Sequence, residues 1–168
     1  KDMASTNRKT KYWTESLDEA FGDSGIKGRL GEEFICRVFD SWGWEYNYHP
    51  ADKKSQLDGI DIEFRNPKWA NFYTADIKAN MTEYGAFGVY ADWLFKIKTD
   101  RVFHCNPNTG WMLWYSVDEM RKFYDDYVSE LGGGELVSTA KDSIWLSAKN
   151  CPNFITRRKM NGCVSTSK

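Results

Sequence analysis

Gly59-Ile60-Asp61-Ile62-Glu63-Phe64-Arg65 alternates apolar and polar residues, and after the break Asn66-Pro67-Lys68 the run from Asn71 to Lys78 resumes an extended pattern. Alternation of this kind marks a strand with one buried face. Two such runs separated by a short turn pair as an antiparallel hairpin. A midpoint between Lys68 and Trp69 sets Asp61 opposite Asp76, so the two carboxylates share one face. Lys78 lies two residues after Asp76 and points the same way, because the strand period is two. Ile77 points to the buried side and leaves its carbonyl available.

Upstream, Leu30, Phe34 and Val38 recur four apart between Lys27 and Trp42, with Ile35, Phe39 and Trp42 widening the stripe. This is a helical period, and Gly43 ends it. At about 100° per residue, Glu32 falls at the border of the stripe and Glu33 on the solvent side. Glu32 is therefore the acid able to reach over a sheet edge. Trp44 to Tyr48 reads as a strand, closed by His49-Pro50 and a polar loop containing Lys53 and Lys54. Asp58 is a rival to Asp61 but falls in the loop rather than in the alternating run.

Downstream, Trp93 to Lys98 and Arg101 to Cys105 read as strands around Thr99-Asp100, which would put Lys96 and Lys98 on one strand face. Trp111 to Tyr115 follows as a strand. Val117 to Leu131 is an amphipathic helix stopped by Gly132-Gly133-Gly134, and Ser143 to Leu146 is a final strand. The expected organisation is one α/β domain over residues 1–168, with a central mixed sheet flanked by helices. It has a lead-in arm at 1–25, a core at 27–131 and a polar, basic tail at 147–168.

The 168 residues include 8 Trp, 9 Tyr and 10 Phe, enough ring volume to fill one compact core. No apolar run reaches the roughly 20 residues of a membrane helix, and Lys1 to Tyr12 lacks the apolar stretch of a secretory signal, so a cytoplasmic protein without membrane contact is expected. Cys36, Cys105, Cys151 and Cys163 form no C-x-x-C pair and read as reduced thiols rather than as a zinc site with His104. Residues 32–134 carry eleven Lys/Arg against seventeen acids, and residues 135–168 carry six against two. An acidic middle beside a basic tail suits a cation site next to a phosphate-contacting surface.

Gly31-Glu32 in a helix, Gly59-Ile60-Asp61 at a strand start and Asp76-Ile77-Lys78 near the end of the next strand resemble, in that order, the PD-(D/E)XK nuclease superfamily. That group includes restriction enzymes, Holliday-junction resolvases and phage nucleases. The resemblance spans about residues 27–105 and implies a restriction-endonuclease-like core. No proline precedes Asp61, and the segment after Lys78 is short for the helix usual there. The activity implied is Mg²⁺-dependent cleavage of phosphodiesters, with Mn²⁺ able to substitute and no organic cofactor. Glu32, Asp61, Asp76 and Lys78 form the catalytic set; Asp61, Asp76 and the Ile77 carbonyl are the metal ligands. The partner implied is DNA, with RNA as the alternative, and a homodimer accords with resolvases and many restriction enzymes. Lys53, Lys54, Lys96 and Lys98 are candidate nucleic-acid contacts, each with a solvated surface as the plainer reading. The competing expectations are a non-catalytic nucleic-acid-binding or assembly protein retaining the fold, and an interaction module whose acids hold a structural Ca²⁺.

Overall fold

The structure, a computed structural model, describes residues 23–48, 59–81, 86–140 and 142–164, without the side chains of 23–25 and 140. Lys53, Lys54 and Asp58, and most of the lead-in arm, lie outside the described residues. Helix α1 (Asp23–Trp42) is followed by β1 (Glu45–Tyr48), β2 (Ile62–Arg65), β3 (Tyr73–Ala79), β4 (Ala86–Tyr90), the short α2 (Ala91–Leu94), β5 (Arg101–Cys105) and β6 (Trp111–Ser116). Next come α3 (Val117–Phe123), a π-helical turn (Tyr124–Val128), α4 (Ser129–Leu131), β7 (Ser138–Ala140), β8 (Ser143–Ser147) and β9 (Thr156–Lys159). The fold is mixed α/β. A six-stranded sheet runs β1-β2-β3-β5-β6-β9, and a three-stranded sheet runs β4-β8-β7.

Side-chain alternation divides the large sheet between two cores. Ile62, Phe64, Ala75, Ile77, Phe103 and Cys105 face α1, where they meet Phe34, Ile35, Val38 and Phe39. Val102, Leu113 and Tyr115 face the other way, onto α3 and the small sheet through Met120, Phe87, Val89, Ile144 and Leu146. Phe39 anchors the first core: it stacks on Phe64 at 5.1 Å and meets the edge of Phe103 at 5.5 Å. Offset and edge contacts of this kind stabilise by about 0.5–1.5 kcal/mol beyond the area they bury.

The central hairpin has the register expected of it. Ile62 faces Ala75, Glu63 faces Thr74 and Phe64 faces Tyr73, the alignment that brings Asp61 level with Asp76. β3 and β5 are parallel, with Lys78 beside His104. Thr74 and Asp100 lock the start of this pair: Thr74 N donates to Asp100 Oδ2 at 2.9 Å, and Asp100 N to Thr74 O at 3.1 Å.

Three expectations are corrected. Residues 93–98 are not a strand: Lys96 N and Ile97 N both bond Trp93 O, and Arg121 donates to Leu94 O at 2.9 Å and Ile97 O at 2.6 Å, holding the segment as a folded loop. Lys96 and Lys98 therefore share no strand face, though both are exposed. Residues 147–168 are not merely a tail, because β9 pairs with β6 and buries Ile155, while Arg37 of α1 bonds the Cys163 carbonyl at 2.9 and 3.1 Å. The core thus extends past residue 131. The lead-in arm is expected to run to residue 25, but α1 already begins at Asp23.

Two glycines of α1 differ in what surrounds them. A Cβ on Gly31 would lie 2.8 Å from the Ala79 Cβ, whereas one on Gly28 would meet nothing within 4 Å. Gly28→Ala should therefore stabilise by about 0.5–1 kcal/mol, the helix gain alone. Gly31→Ala carries the same gain, but overpacking costs about 1–3 kcal/mol, so the net effect is a loss. Urea denaturation checks the opposite signs; two stabilising variants would show that α1 is free to lift from β3.

Candidate active site

β2 leaves the regular ladder one residue before Ile62. Asp61 N donates to Ala75 O at 2.8 Å, and the Asp61 carboxylate turns back to accept Ile77 N at 2.6 Å. A side chain thus takes the hydrogen bond that a continuing strand would supply to β3. The N–H and C=O of one strand residue point the same way, so the Ile77 carbonyl faces the same gap beside Asp61. As expected, the Ile77 side chain is buried against α1.

Asp76 is 5% exposed and its Oδ2 has no hydrogen-bond partner among the described residues. Burial raises the proton affinity of both Asp61 and Asp76, and the Asp76 charge raises Asp61 further. Asp61 keeps some exposure as a residue, but its carboxylate is the part turned inward onto Ile77. A buried carboxylate oxygen without a hydrogen bond is costly, and a second acid beside it makes full ionisation costlier still. Lys78 Nζ lies 3.5 Å from Asp76 Oδ2 with its side chain 48% exposed, so the ammonium attends the pair while facing solvent.

Glu32 is buried and Glu33 exposed, as the helix phase predicts. Gly31 seats α1 against Ala79, which brings Glu32 over the end of the sheet. There the Tyr48 hydroxyl donates to Glu32 Oε1. Burial and the Glu32 charge hold the Tyr48 phenol well above its ordinary range, so it remains a donor. Tyr48 was legible only as the last residue of a strand; its role depends on β1 lying beside β2, with Tyr48 opposite Ile62.

The structure thus brings together Asp61, Asp76, Lys78 and the Ile77 backbone, with Glu32 adjoining from α1. The loop that carries Lys96 and Lys98 packs Ile97 onto Gly59, two residues before Asp61. Gly59 has φ +78° and no room for a Cβ there. Among the described residues, no group of three or more His, Cys, Asp and Glu converges on one point. Any cation held here would draw on the two carboxylates and backbone oxygen, hard ligands that suit Mg²⁺ or Mn²⁺. The cysteines are free thiols, and burial pushes Cys36 up to about 12, which keeps it unreactive.

Beside Lys78 opens a cleft of about 380 Å³, walled by Trp93, Trp145, Tyr90 and Phe87, which pattern reading of the sequence did not assign to the site. His104 lines it, hydrogen-bonded through Nε2 to the Tyr115 hydroxyl at 2.9 Å, and burial pushes its pKa down to about 3. It is a neutral ring, not a titrating base at physiological pH.

A carboxyl with raised proton affinity binds more protons folded than unfolded between its ordinary and raised values, so stability falls as pH climbs through that window. Asp76→Asn should remove this loss. In the absence of metal it should raise Tm at pH 8 by about 2–4 °C, which is about 1 kcal/mol for a chain of this size. Near pH 4 the gain should vanish. A lower Tm at pH 8, read by calorimetry, would mean that Asp76 is stabilised as a carboxylate. No protein-family model, curated protein or solved structure matches the chain, so the chemistry of the site itself is the ground for a functional reading.

Proposed function

We propose that the chain is a metal-dependent nuclease of the PD-(D/E)XK kind, hydrolysing phosphodiesters in DNA, and that its sheet and α1 form a restriction-endonuclease-like core. The observation that carries the reading is the buried Asp61–Asp76 pair, with an Asp76 oxygen that has no hydrogen-bond partner among the described residues and a lysine 3.5 Å away. The bond to Ile77 N accounts for Asp61, but a second buried acid beside it with an oxygen lacking a hydrogen bond is costly, and the arrangement suits a cation that would replace the missing partner. Asp61, Asp76 and the Ile77 carbonyl would hold Mg²⁺ or Mn²⁺, which when bound neutralises phosphoryl charge and makes water more acidic.

The remaining roles belong to the chain. The Lys78 ammonium, half in solvent, holds a phosphoryl oxygen and stabilises the charge that develops there during cleavage. Glu32, fixed by Tyr48, presents a third acidic group over the sheet end, where it orients the attacking water. Ile77 N holds Asp61 in place so that the pair does not part on ionisation.

Asp61→Ala and Asp76→Ala should each abolish Mn²⁺-dependent plasmid nicking while leaving the circular dichroism spectrum unchanged. Lys78→Ala should lower the single-turnover rate by about 100-fold, the size of losing a preorganised electrostatic contact. Affinity for DNA in Ca²⁺ should barely change, since one phosphate contact among several contributes little. If wild type cuts no DNA or RNA, the fold serves binding or assembly alone; if Lys78→Ala cuts normally but binds weakly, Lys78 is only an anchor. A second comparison concerns the neighbouring acids of α1: Glu32→Gln should slow cleavage by about ten-fold or more and Glu33→Gln should leave it unchanged. The reverse order would remove Glu32 from the site.

A further inference from the structure

The cleft beside Lys78 differs from the rest of the site in chemistry. Lys78 is its one formal charge, and no acid lines it among the described residues. Lys78 Nζ lies 5.1 Å from the Trp93 ring centroid, so the ammonium that faces the acid pair on one side adjoins an aromatic wall on the other. Tyr90 meets the Trp145 ring edge-on at 6.2 Å and is half exposed, leaving ring surface toward solvent. Gly88 of β4 faces Trp145 of β8, and a Cβ there would lie 2.9 Å from the indole. The missing side chain is what lets the indole lie across the strand. Asn80 supplies an amide at the rim, where its Nδ2 donates to the Ala86 carbonyl.

Aromatic faces next to a phosphate-binding ammonium fit a planar heterocycle one sugar away from a phosphate. Bases inside a duplex are stacked on both faces and offer only their edges, so rings can reach only an unpaired base. The volume falls within the roughly 300–1,000 Å³ range of sites that enclose small ligands. We infer that the cleft formed by Trp93, Trp145 and Tyr90 holds an unpaired nucleobase of the strand whose phosphate lies at Lys78, so that the protein acts on single-stranded or frayed nucleic acid in preference to intact duplex. This inference rests on the nuclease reading for the placement of the phosphate, but the binding of the base does not depend on cleavage.

The test uses fluorescence anisotropy of three labelled strands in chelator: a dodecathymidylate, the same length of abasic deoxyribose phosphate, and a duplex. Wild type should bind the dodecathymidylate most tightly. Tyr90→Ala and Trp93→Leu, the second keeping apolar packing in place, should each weaken that binding by about ten-fold, within the range of one lost base–aromatic stack. Neither should change binding of the abasic strand. Equal binding of the three strands, or variants that bind the dodecathymidylate like wild type, overturns the cleft as a base site. Mn²⁺-dependent nicking, measured separately, keeps the two readings apart. Base-dependent binding without nicking retains the cleft and removes the nuclease; nicking with base-independent binding does the reverse.

Discussion

The hydrogen bond from Ile77 N to Asp61 Oδ2, 2.6 Å long, joins β3 to a side chain where an unbroken strand would have offered a carbonyl. Without it, Ile77 N would be a buried donor lacking a partner at the point where β2 departs, an arrangement that costs about 1–3 kcal/mol. The bond thus closes the sheet and brings a carboxylate beside Asp76 in one step. It also explains why the strand ends there: continuing β2 in register would return the donor to the backbone and leave Asp61 without its anchor.

What surrounds that bond is arranged to keep two acids out of water while leaving one edge open. α1 covers the opposite face of β3 through Phe34, Ile35 and Val38, and it sits close to β3 at Gly31. From the other face, Tyr115 and His104 fill the interior beside the pair as neutral groups. Among the described residues, Lys78 brings a positive charge close to the pair. The balance of burial against that ammonium leaves both carboxyls more basic than usual.

Much of this was legible because it is local. The alternation of 59–65 and the spacing Asp76-Ile77-Lys78 carry both the hairpin register and the shared face, and the phase of α1 separates Glu32 from Glu33. These signals come from the two periods of regular backbone and do not need the rest of the fold. Residues 93–98 were misread because Phe95-Lys96-Ile97-Lys98 alternates like a strand; what folds it into a loop is Arg121, a residue distant in sequence. Tyr48, Trp93 and Trp145 could not be placed beforehand for the same reason, since their positions depend on strand order. β9 was invisible because an edge strand whose residues are all exposed, Thr156 to Lys159, has no apolar alternation to show.

The bond from Arg37 to the Cys163 carbonyl links residues 126 apart in sequence, and Cys163 buries itself in the same cluster as the inner face of α1. Contacts with such separation close late in folding, because the entropy of the long loop must be lost before they form. During synthesis, when the chain emerges from its amino end, the helix that carries Glu32 has its far-side cover missing until the region of residue 163 has left the ribosome. The acids at 61 and 76 are made well before that point, and α1 already meets Phe64, Phe103 and Ala79 by then, so the last segment adds a further tie to a helix that is already seated.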